Sequence, residues 1–427
     1  MLVNFNLCAK EIFELINSTD VRHFCYGETF AAIDELQRLC GEKISFYSVQ
    51  SGVDFKTRLA VKSTFRSIAR DDDPAVMIFT SGTTGKLKGV LLSSYNILNA
   101  AQINSRDQTL RADDKACVIL PFFHIFGLVA GIFANAAAGS TIYLPEKIRS
   151  NTILELIARE RCTIFHSVPT MLLALIHNEN FSADKVAALR CTIVSGARTT
   201  EAHMKNFRRL MPNNHFLSSY GLSEMAPVSI TAYGDTDEKI LHTVGKPVEN
   251  IRVKIDKPDS NGVGEILVQG FNLMTGYYKL DPAAQAIDAE GWLHTGDLGS
   301  VDADGYLRLT GRIKELIIRG GENIFPAEVE AAISEHENIA DVKVLGVPHD
   351  FFGEEVCACV RLKSAAFDET EMRAALSAQL AKYKIPAHFL IYDEFPLLGS
   401  GKIDSVALKR DAVKKIKARR EFGQNAK

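Results

Sequence analysis

The sequence predicts an α/β protein with a large N-terminal domain, which holds mixed and parallel sheets and a small barrel-like module, and a smaller C-terminal α+β domain. The chain has 427 residues, which is enough for two or three domains. Apolar strand-like runs alternate with helical patterns through its first two thirds, as is typical of a parallel sheet with crossover helices. From about Val244 the pattern changes to short strands separated by turns, which indicates the barrel-like module.

Apolar runs in the N-terminal half predict buried strands at residues 75–79, 116–120, 141–144, 163–168 and 191–195. Helical patterns predict helices at residues 151–160, 169–178 and 200–211, and a further strand is predicted at residues 214–219. The uncharged stretch 117–139 is long enough to cross a bilayer, but Pro121, His124 and Asn135 interrupt it. We therefore expect a buried strand, a loop and a core helix there rather than a membrane span.

The second half of the chain predicts two smaller units. Short strands at residues 252–255, 264–269, 292–293 and 306–310 predict the barrel-like module. Beyond a charged junction at residues 311–314, Pro326 opens a helix. Strands at 341–347, 356–362 and 389–392 and a helix at 369–382 follow it. We therefore divide the chain into a domain of residues 1–311 and a mobile domain of residues 312–427.

The composition limits the classes of partner. A formal net charge of −3 argues against a general nucleic-acid binder. The eight cysteines have no CxxC pairing, which is typical of reduced thiols in a cytosolic protein. The start, MLVNFNLCAKEIFELIN, lacks the pattern of a secretion signal, so we expect a cytoplasmic protein. Lysines and arginines crowd residues 409–420, where a solvated helix is expected and a contact with a polyanionic ligand is the alternative.

The segment FTSGTTGKLKGV, residues 79–90, is the strongest indication of function. Its glycines allow backbone N–H groups to converge on phosphate oxygens, while hydroxyls and lysines add donors and charge. The candidate phosphate-binding residues are Thr80, Ser81, Gly82, Thr83, Thr84, Gly85 and Lys86. The spacing differs from the GxxxxGK[ST] loop. A flexible, hydroxyl-rich hairpin is the alternative, and the buried strand directly before the segment makes it less favoured.

Three further segments carry groups suited to a nucleotide. In YGLSE, an aromatic ring beside glycine can stack on a purine, Ser223 can reach phosphate, and Glu224 can bind Mg²⁺. In GWLHTGDLG, Asp297 can accept hydrogen bonds from both ribose hydroxyls, and Arg312 follows it. In LGSGKID, a glycine loop displays Lys402. Taken alone, the YGLSE and LGSGKID segments are better explained as ordinary polar turns, and an aspartate such as Asp297 is common in turns.

A fourth segment, PFFHIFG, places His124 in an apolar loop. A single histidine among apolar residues is usually a core residue whose hydrogen bonds are satisfied. The alternative is that His124 orients a carboxylate substrate.

Taken together, the order and spacing of these segments resemble a known family. The acyl-adenylate-forming superfamily, which includes acyl-CoA synthetases, luciferases and the adenylation domains of peptide synthetases, has similar core motifs in this order. The motifs are FTSGTTGKLKGV, PFFHIFG, SSYGLSE, GEILVQG, GWLHTGDLG, GRIKELIIRGGENIFPAEVE and LGSGKID. The resemblance implies that a carboxylate attacks the α-phosphate of MgATP to give acyl-AMP, and that a thiol then takes the acyl group.

The resemblance also implies roles for single residues. Lys402, Glu224 and His124 are implied to be catalytic, with Glu224 binding Mg²⁺ and Lys402 bridging the carboxylate and the α-phosphate. The remaining implied ATP-binding residues are Gly196, Ala197, Tyr220, Ser223, Asp297 and Arg312, beside the loop from Thr80 to Lys86. The acyl pocket is implied to include Phe123, His124, Ser219 and Gly221. Lys314 is implied as the hinge, and Arg319, Gly320 and Gly321 as the border of the path for coenzyme A.

Some positions depart from the family pattern. Ser223 replaces a usual threonine but keeps the hydroxyl, and Ser219 replaces a frequent glycine and is expected to shorten the pocket. His124 stands where amino-acid activators carry an aspartate, which favours plain fatty or aromatic acids. The glycine-rich loop also comes early, so part of the first subdomain is expected to be missing.

The resemblance leaves three hypotheses open. The first is an AMP-forming acyl-CoA synthetase for a medium fatty or aromatic acid. The second is a ligase that loads the phosphopantetheine of an acyl carrier protein. The third is an inactive truncated homologue that binds a nucleotide or a partner, with a partner or oligomer covering the shortened side.

Overall fold

The structure is a computed structural model of the chain. It describes residues 1–27, 30–49, 68–81, 87–196, 199, 201–281, 285–364, 366–397 and 402–424. The strands are β1 (His23–Gly27), β2 (Ser45–Val49), β3 (Pro74–Ser81), β4 (Leu87–Ser93), β5 (Lys115–Cys117), β6 (Thr141–Tyr143), β7 (Ile164–Phe165), β8 (Cys191–Ser195), β9 (His215–Leu222), β10 (Met225–Ile230), β11 (Lys246–Pro247), β12 (Ile251–Asp256), β13 (Gly264–Gly270), β14 (Gly276–Tyr277), β15 (Leu293–Val301), β16 (Leu307–Arg312), β17 (Ile317–Arg319), β18 (Glu322–Ile324), β19 (Ile339–His349), β20 (Gly353–Leu362) and β21 (His388–Ile391).

The helices carry their own numbering. They are α1 (Ala9–Asn17), α2 (Ile33–Cys40), α3 (Ser94–Asp107), α4 (Ala134–Ala138), α5 (Ser150–Glu160), α6 (Pro169–Ile176), α7 (Glu201–Leu210), α8 (Asp237–His242), α9 (Pro326–Ser334), α10 (Glu369–Ser377) and α11 (Ser405–Gln424). A π-helical segment, Phe126–Phe133, leads directly into α4. A 3₁₀ turn, Ile313–Glu315, separates β16 from β17.

The central sheet has seven strands in the order β11-β10-β9-β8-β7-β5-β6. The five strands from β9 to β6 run parallel, while β10 and β11 run antiparallel to their neighbours. Helices α5, α6 and α7 connect the parallel strands, and their apolar faces pack in one core with Phe165, Phe207 and Phe216. The predicted parallel sheet with crossover helices is therefore confirmed.

The strand before the glycine-rich loop lies in a different sheet from the one that simple alternation predicts. β3 pairs antiparallel with β4, and β14 adds to β4 to complete a three-stranded sheet. The cause is local, because Val90 and Leu92 of β4 alternate on one buried face and allow the chain to fold back after the loop. The predicted strand is present, and its expected place in the parallel series is wrong.

Residues 1–27 and 30–49 form a small βαβ unit. β1 and β2 pair in parallel, and Ile12, Phe24 and Leu36 lie in its core. Several contacts connect the unit to the rest of the domain, and they include hydrogen bonds to two separate regions of it. The Leu2 amide donates to the carbonyl of Met77 on β3 at 3.0 Å, and Asp20 accepts a hydrogen bond from the Tyr278 hydroxyl at 2.7 Å.

The barrel-like module is a four-stranded antiparallel sheet in the order β12-β13-β15-β16. The sequence predicts β15 as two residues, but the strand extends to Val301. Its glycine and aspartate residues resemble a turn in composition, yet pairing with β13 and β16 carries the strand through an irregularity at Gly296, whose φ is +70°. This extension places Asp297 in the middle of a strand.

The C-terminal part is a separate five-stranded sheet with three helices, as expected for α+β. The strand order is β18-β17-β20-β19, with β21 parallel to β20. Helix α11 buries Leu408, Ala412 and Ile416 at helical spacing, which leaves its basic residues on the outer face. The change of sheet occurs between Arg312 and Ile317, and the division at residues 311 and 312 stays our proposal.

Two further properties of the chain follow from the described ranges. None of the helices in them is long and apolar enough to cross a membrane. All eight cysteines lie within them, and each is a free thiol.

Candidate functional site

The phosphate loop lies at the end of the β3–β4 hairpin. Thr80 pairs with Lys88 and Ser81 with Leu87, and these are the last described pairs before the connection. Five of the predicted phosphate-binding residues lie outside the described residues, namely Gly82, Thr83, Thr84, Gly85 and Lys86. The hairpin therefore shows where the loop starts and ends, and the roles of these five residues stay predictions.

Asp297 is the centre of a group of three side chains, which we call the nucleotide corner; Asp297 and Tyr220 are buried, and Arg312 is exposed. The Tyr220 hydroxyl donates to Asp297 Oδ2 at 2.6 Å, and Arg312 Nε donates to Oδ1 at 2.9 Å. Asp297 and Arg312 are register partners on β15 and β16, and Asp297 is 4% exposed. Each carboxylate oxygen has two lone pairs, so both oxygens keep one for an outside donor such as a ribose hydroxyl.

The corner keeps its hydrogen bonds over a wide pH range. Burial and, next, the negative charge of Asp297 raise the pKa of Tyr220 well above its usual value, so the tyrosine remains a hydrogen-bond donor. The backbone also holds the strand, because the Asp297 amide donates to the Thr295 hydroxyl at 3.0 Å. The predicted pair of Asp297 and Arg312 is therefore positioned before any ligand arrives.

Lys402 of the C-terminal part extends to Gly196 in the large domain. Gly196 has a φ of +84°, and a Cβ there would lie 3.3 Å from Lys402 Cε and 3.4 Å from Val168 Cγ1. Glycine therefore supplies both the left-handed backbone and the space in which the lysine lies. The neighbouring Ala197, and the glycine loop of residues 398–401, are outside the described residues.

The electrostatic environment of Lys402 connects it to the nucleotide corner. Desolvation by the surrounding protein and then the positive charge of Arg312 lower the pKa of Lys402, while the negative charge of Asp297 opposes this effect. The ammonium group of Lys402 therefore lies within electrostatic range of both residues.

His124 lies within electrostatic range of Lys402. Burial and then the charge of Lys402 lower the pKa of His124, so the ring is neutral at pH 7. Its buried Nε2 has no hydrogen-bond partner in the described part of the chain. The centroids of the His124 and Phe123 rings are 4.7 Å apart. The Phe123 ring contacts the edge of the Phe5 ring, with 5.5 Å between the centroids. A buried ring nitrogen without a partner is costly, which favours a polar ligand over a purely structural role.

Glu224 lies in the tight turn between β9 and β10, next to half-buried Ser223. The Tyr277 hydroxyl donates to Glu224 Oε1 at 2.7 Å, and the Met274 amide donates to the Glu224 carbonyl at 2.8 Å. The described residues contain no group of three or more histidine, cysteine or acidic side chains that could hold a metal ion. One carboxylate fits Mg²⁺, which is commonly bound by one or two carboxylates together with substrate phosphates.

The two predicted pocket-wall residues lie on β9, on either side of Tyr220. Ser219 Oγ donates to the Ser229 carbonyl at 3.0 Å, so its hydroxyl is engaged with β10. A Cβ at Gly221 would lie 3.0 Å from Ala226 Cβ, which makes this position tight for any larger residue. Both positions are next to the nucleotide corner in sequence and in space.

The residues predicted for the second half-reaction lie in or beside the C-terminal sheet. Lys314 is exposed in the 3₁₀ turn between β16 and β17. Gly320 and Gly321 form the turn of the β17–β18 hairpin with φ of +59° and +89°, values that few residues except glycine adopt. The Gly320 amide donates to the Phe352 carbonyl at 2.8 Å, and the Arg319 guanidinium lies 4.4 Å from the Phe352 ring.

Two residues of the site were missed by the sequence reasoning. Tyr277 binds the Glu224 carboxylate, and Thr295 accepts the Asp297 amide. The sequence GYYK at residues 276–279, which follows the GEILVQG strand, was a signal for Tyr277, but its partner is 53 residues away. Thr295 lies in the GWLHTGDLG segment, but nothing in that segment indicates that its hydroxyl accepts a hydrogen bond from the Asp297 amide.

Comparison with known proteins agrees with this geometry. The profile described as AMP-binding enzyme matches residues 2–278, and that described as AMP-binding enzyme C-terminal domain matches residues 328–402. The chain is 36% identical over 351 residues to the putative acyl-CoA synthetase YngI of Bacillus subtilis, covering 80% of this chain and 64% of that protein. It is 32% identical over 357 residues to the mitochondrial medium-chain acyl-CoA ligase ACSF2 of Danio rerio, covering 81% of this chain and 59% of that one.

A solved structure shares the architecture. ATP-bound MatB from Rhodopseudomonas palustris superposes with a TM-score of 0.87 at 25% identity, over 96% of this chain and 83% of that one. The two relatives above are longer, so that the chain spans about three fifths of their length.

Proposed function

Because the chain belongs to the AMP-binding enzyme family, we propose that it activates a carboxylic acid with ATP and transfers the acyl group to the thiol of coenzyme A. The observation that supports this most strongly is Lys402, which reaches from the C-terminal part to Gly196 beside the nucleotide corner. The printed names of YngI and ACSF2 support an acyl-CoA product.

In the first half-reaction, an oxygen of the substrate carboxylate forms a bond to the α-phosphorus of ATP. The bond from that phosphorus to the bridging oxygen breaks, and pyrophosphate leaves. Charge builds up on the phosphoryl oxygens, so oriented cations are sufficient and no covalent enzyme intermediate is needed. We assign this neutralisation to Lys402, whose ammonium group the anionic substrates hold in its charged form.

Glu224 is the proposed holder of Mg²⁺, together with phosphate oxygens of ATP. When bound, the metal neutralises phosphate charge. Ser223 adds a hydroxyl in the same turn, and residues 80–86 are proposed to bind the β- and γ-phosphates.

The nucleotide corner acts in both half-reactions, because ATP and acyl-AMP share the adenosine. Asp297 accepts from the ribose hydroxyls, and Arg312 adds a donor beside them. Gly196, Ala197 and Tyr220 are proposed to frame the adenine. The three residues of the corner all precede the proposed hinge at Lys314, so rotation about that residue leaves their contacts with one another intact.

In the second half-reaction, the thiol sulfur attacks the acyl carbon, the bond from that carbon to the AMP oxygen breaks, and the thiol proton goes to solvent. We propose that the C-terminal domain first rotates about Lys314, which withdraws Lys402. The Arg319–Gly321 turn then borders the thiol path. Domain movements of this kind limit the turnover rate of many enzymes.

The proposed acid is a medium-chain fatty or an aromatic acid. His124 is neutral, buried and without a partner for Nε2 in the described residues, so it can donate to a carboxylate but supplies no negative charge to pair with an ammonium. Phe123 provides an apolar wall beside it. Amino acids are therefore poor candidates. A cytoplasmic location is proposed from the free thiols.

The decisive experiment is a panel assay on the purified chain. Pyrophosphate release is measured with MgATP and fatty, aromatic and amino acids, followed by thioester formation with coenzyme A or with a phosphopantetheinylated carrier protein. We expect release with apolar acids and thioester with coenzyme A. Thioester with the carrier alone would make the chain a carrier-loading ligase. Nucleotide binding without pyrophosphate release from any acid would contradict catalysis and favour the binding-protein hypothesis.

A further inference from the structure

Tyr277 connects the proposed metal ligand to the strand that follows the phosphate loop. Its hydroxyl donates to Glu224 Oε1 at 2.7 Å, and its backbone pairs with Val90 of β4. The ring is 8% exposed, and Lys88 Nζ lies 4.7 Å from its centre. Lys88 is itself on β4, close to the loop. Tyr277 therefore contacts both Glu224, the proposed metal ligand, and β4, the strand that follows the proposed phosphate-binding loop.

The backbone of Tyr277 is held by the side chain of Gln285. The Tyr277 amide donates to Gln285 Oε1 at 2.8 Å, and the Gln285 side chain donates back to the Tyr277 carbonyl at 3.3 Å. The backbone of Glu224 is fixed by Met274, three residues before Tyr277. The short segment 274–277 therefore holds Glu224 at both its backbone and its carboxylate.

We propose that Tyr277 is a positioning residue for Mg²⁺, which holds the Glu224 carboxylate in the orientation that binds the metal between the turn and the phosphates. This inference rests on the proposed function. A glutamate has three side-chain torsions, and ordering them when the metal arrives would cost affinity. The hydroxyl of Tyr277 orders the carboxylate beforehand, while Oε2 and the second lone pair of Oε1 remain available.

The test is Tyr277→Phe, which removes one oxygen and keeps the ring under Lys88. The matched control is Tyr278→Phe, since the Tyr278 hydroxyl also donates to a carboxylate, that of Asp20 at 2.7 Å, on the side of the N-terminal unit. The affinity of each protein for Mn²⁺ is measured by electron paramagnetic resonance with a non-hydrolysable ATP analogue. The Mg²⁺ dependence of pyrophosphate release is measured in parallel, and melting temperatures check folding.

We expect Tyr277→Phe to weaken Mn²⁺ binding and to raise the Mg²⁺ concentration for half-maximal release, each on the order of tenfold. The maximal rate at saturating Mg²⁺ should stay near that of the unmodified chain, and Tyr278→Phe should change neither quantity. An unchanged or tighter metal affinity in a folded Tyr277→Phe protein would overturn the inference. Mg²⁺-independent activity of the unmodified chain would instead contradict the assignment of Glu224, and no activity at all would contradict the proposed function.

Discussion

The nucleotide corner and Lys402 are neighbours in space, but they are held in very different ways. Tyr220 lies on β9, Asp297 and Arg312 are partners on the paired strands β15 and β16, and all three precede the proposed hinge at Lys314. The Asp297 carboxylate accepts from both of the other side chains. Lys402 follows a glycine-rich loop and belongs to the other domain. Beside it, Ile403 forms an isolated bridge with Leu397, and the Asp404 amide donates to the Pro396 carbonyl at 2.8 Å.

This difference fits the roles that we propose for the two regions. On the proposed function, the groups that hold the adenosine are needed in both half-reactions, and paired strands keep them in place. The proposed role of Lys402 is limited to the step in which pyrophosphate leaves, and its place in a separate domain would allow it to withdraw afterwards. The following variants separate the two regions, in order of decreasing expected effect.

Lys402→Ala is expected to reduce acyl-AMP formation by roughly 10²- to 10³-fold, as for the loss of one oriented charge-stabilising group. Thioester formation from supplied acyl-AMP should remain near that of the unmodified chain, because the lysine is withdrawn in that step. The two half-reactions are measured by pyrophosphate release and by thioester yield from synthetic acyl-AMP. Equal losses in both would show that Lys402 acts throughout the cycle.

Asp297→Ala is expected to weaken ATP binding by about 1.5–3 kcal/mol, because a charge-assisted acceptor for ribose is lost. The defect should appear in both half-reactions, unlike that of Lys402→Ala. Calorimetric titration with ATP measures it. The matched variant Tyr220→Phe removes only one hydrogen bond to Asp297 and should lower the free energy of unfolding by about 0.5–1.5 kcal/mol. An ATP affinity unchanged in Asp297→Ala would exclude the ribose role.

Lys314→Pro is expected to slow thioester formation more than pyrophosphate release. A proline fixes φ in the 3₁₀ turn and restricts rotation about it. Lys314→Ala leaves φ free and serves as the control for loss of the side chain. Single-turnover assays of each half-reaction give the comparison, and equal slowing of the two would argue against a hinge at this position.

The smallest expected effect is on the pH profile. The ammonium form of Lys402 is the active one, and its surroundings lower its pKa. As pH rises, kcat/KM for ATP should therefore fall at a lower pH than the usual lysine pKa of about 10.4 implies. Lys402→Arg should be slower at every pH but should lose this alkaline decline, since arginine stays charged. An unchanged decline in Lys402→Arg would assign it to another group.

The sequence predicts the residues of the nucleotide corner better than it predicts the strands that carry them and the side chains that contact them. The strand at residues 191–195 was placed with the bounds that the structure has, because an unbroken apolar run allows few alternatives. The sequence makes the strand carrying Asp297 too short, because glycine and aspartate have turn-like composition, and the pairing that continues the strand comes from distant residues. Motifs predict single site residues such as Asp297 and Glu224, and their roles stay predictions. Their partners, including Tyr277, depend on tertiary contacts that local patterns do not contain.

The charges around Lys402 also determine when the two domains meet. With no ligand present, closure brings the cations Lys402 and Arg312 together against the single carboxylate of Asp297. ATP and the acid supply the missing negative charge, so substrate binding and closure favour one another thermodynamically. When pyrophosphate departs, it carries much of that negative charge away. The electrostatic attraction that holds Lys402 in the site then weakens, just before the C-terminal domain is proposed to rotate. Departure of pyrophosphate, a product of the first half-reaction, would therefore favour the rotation that the second half-reaction needs.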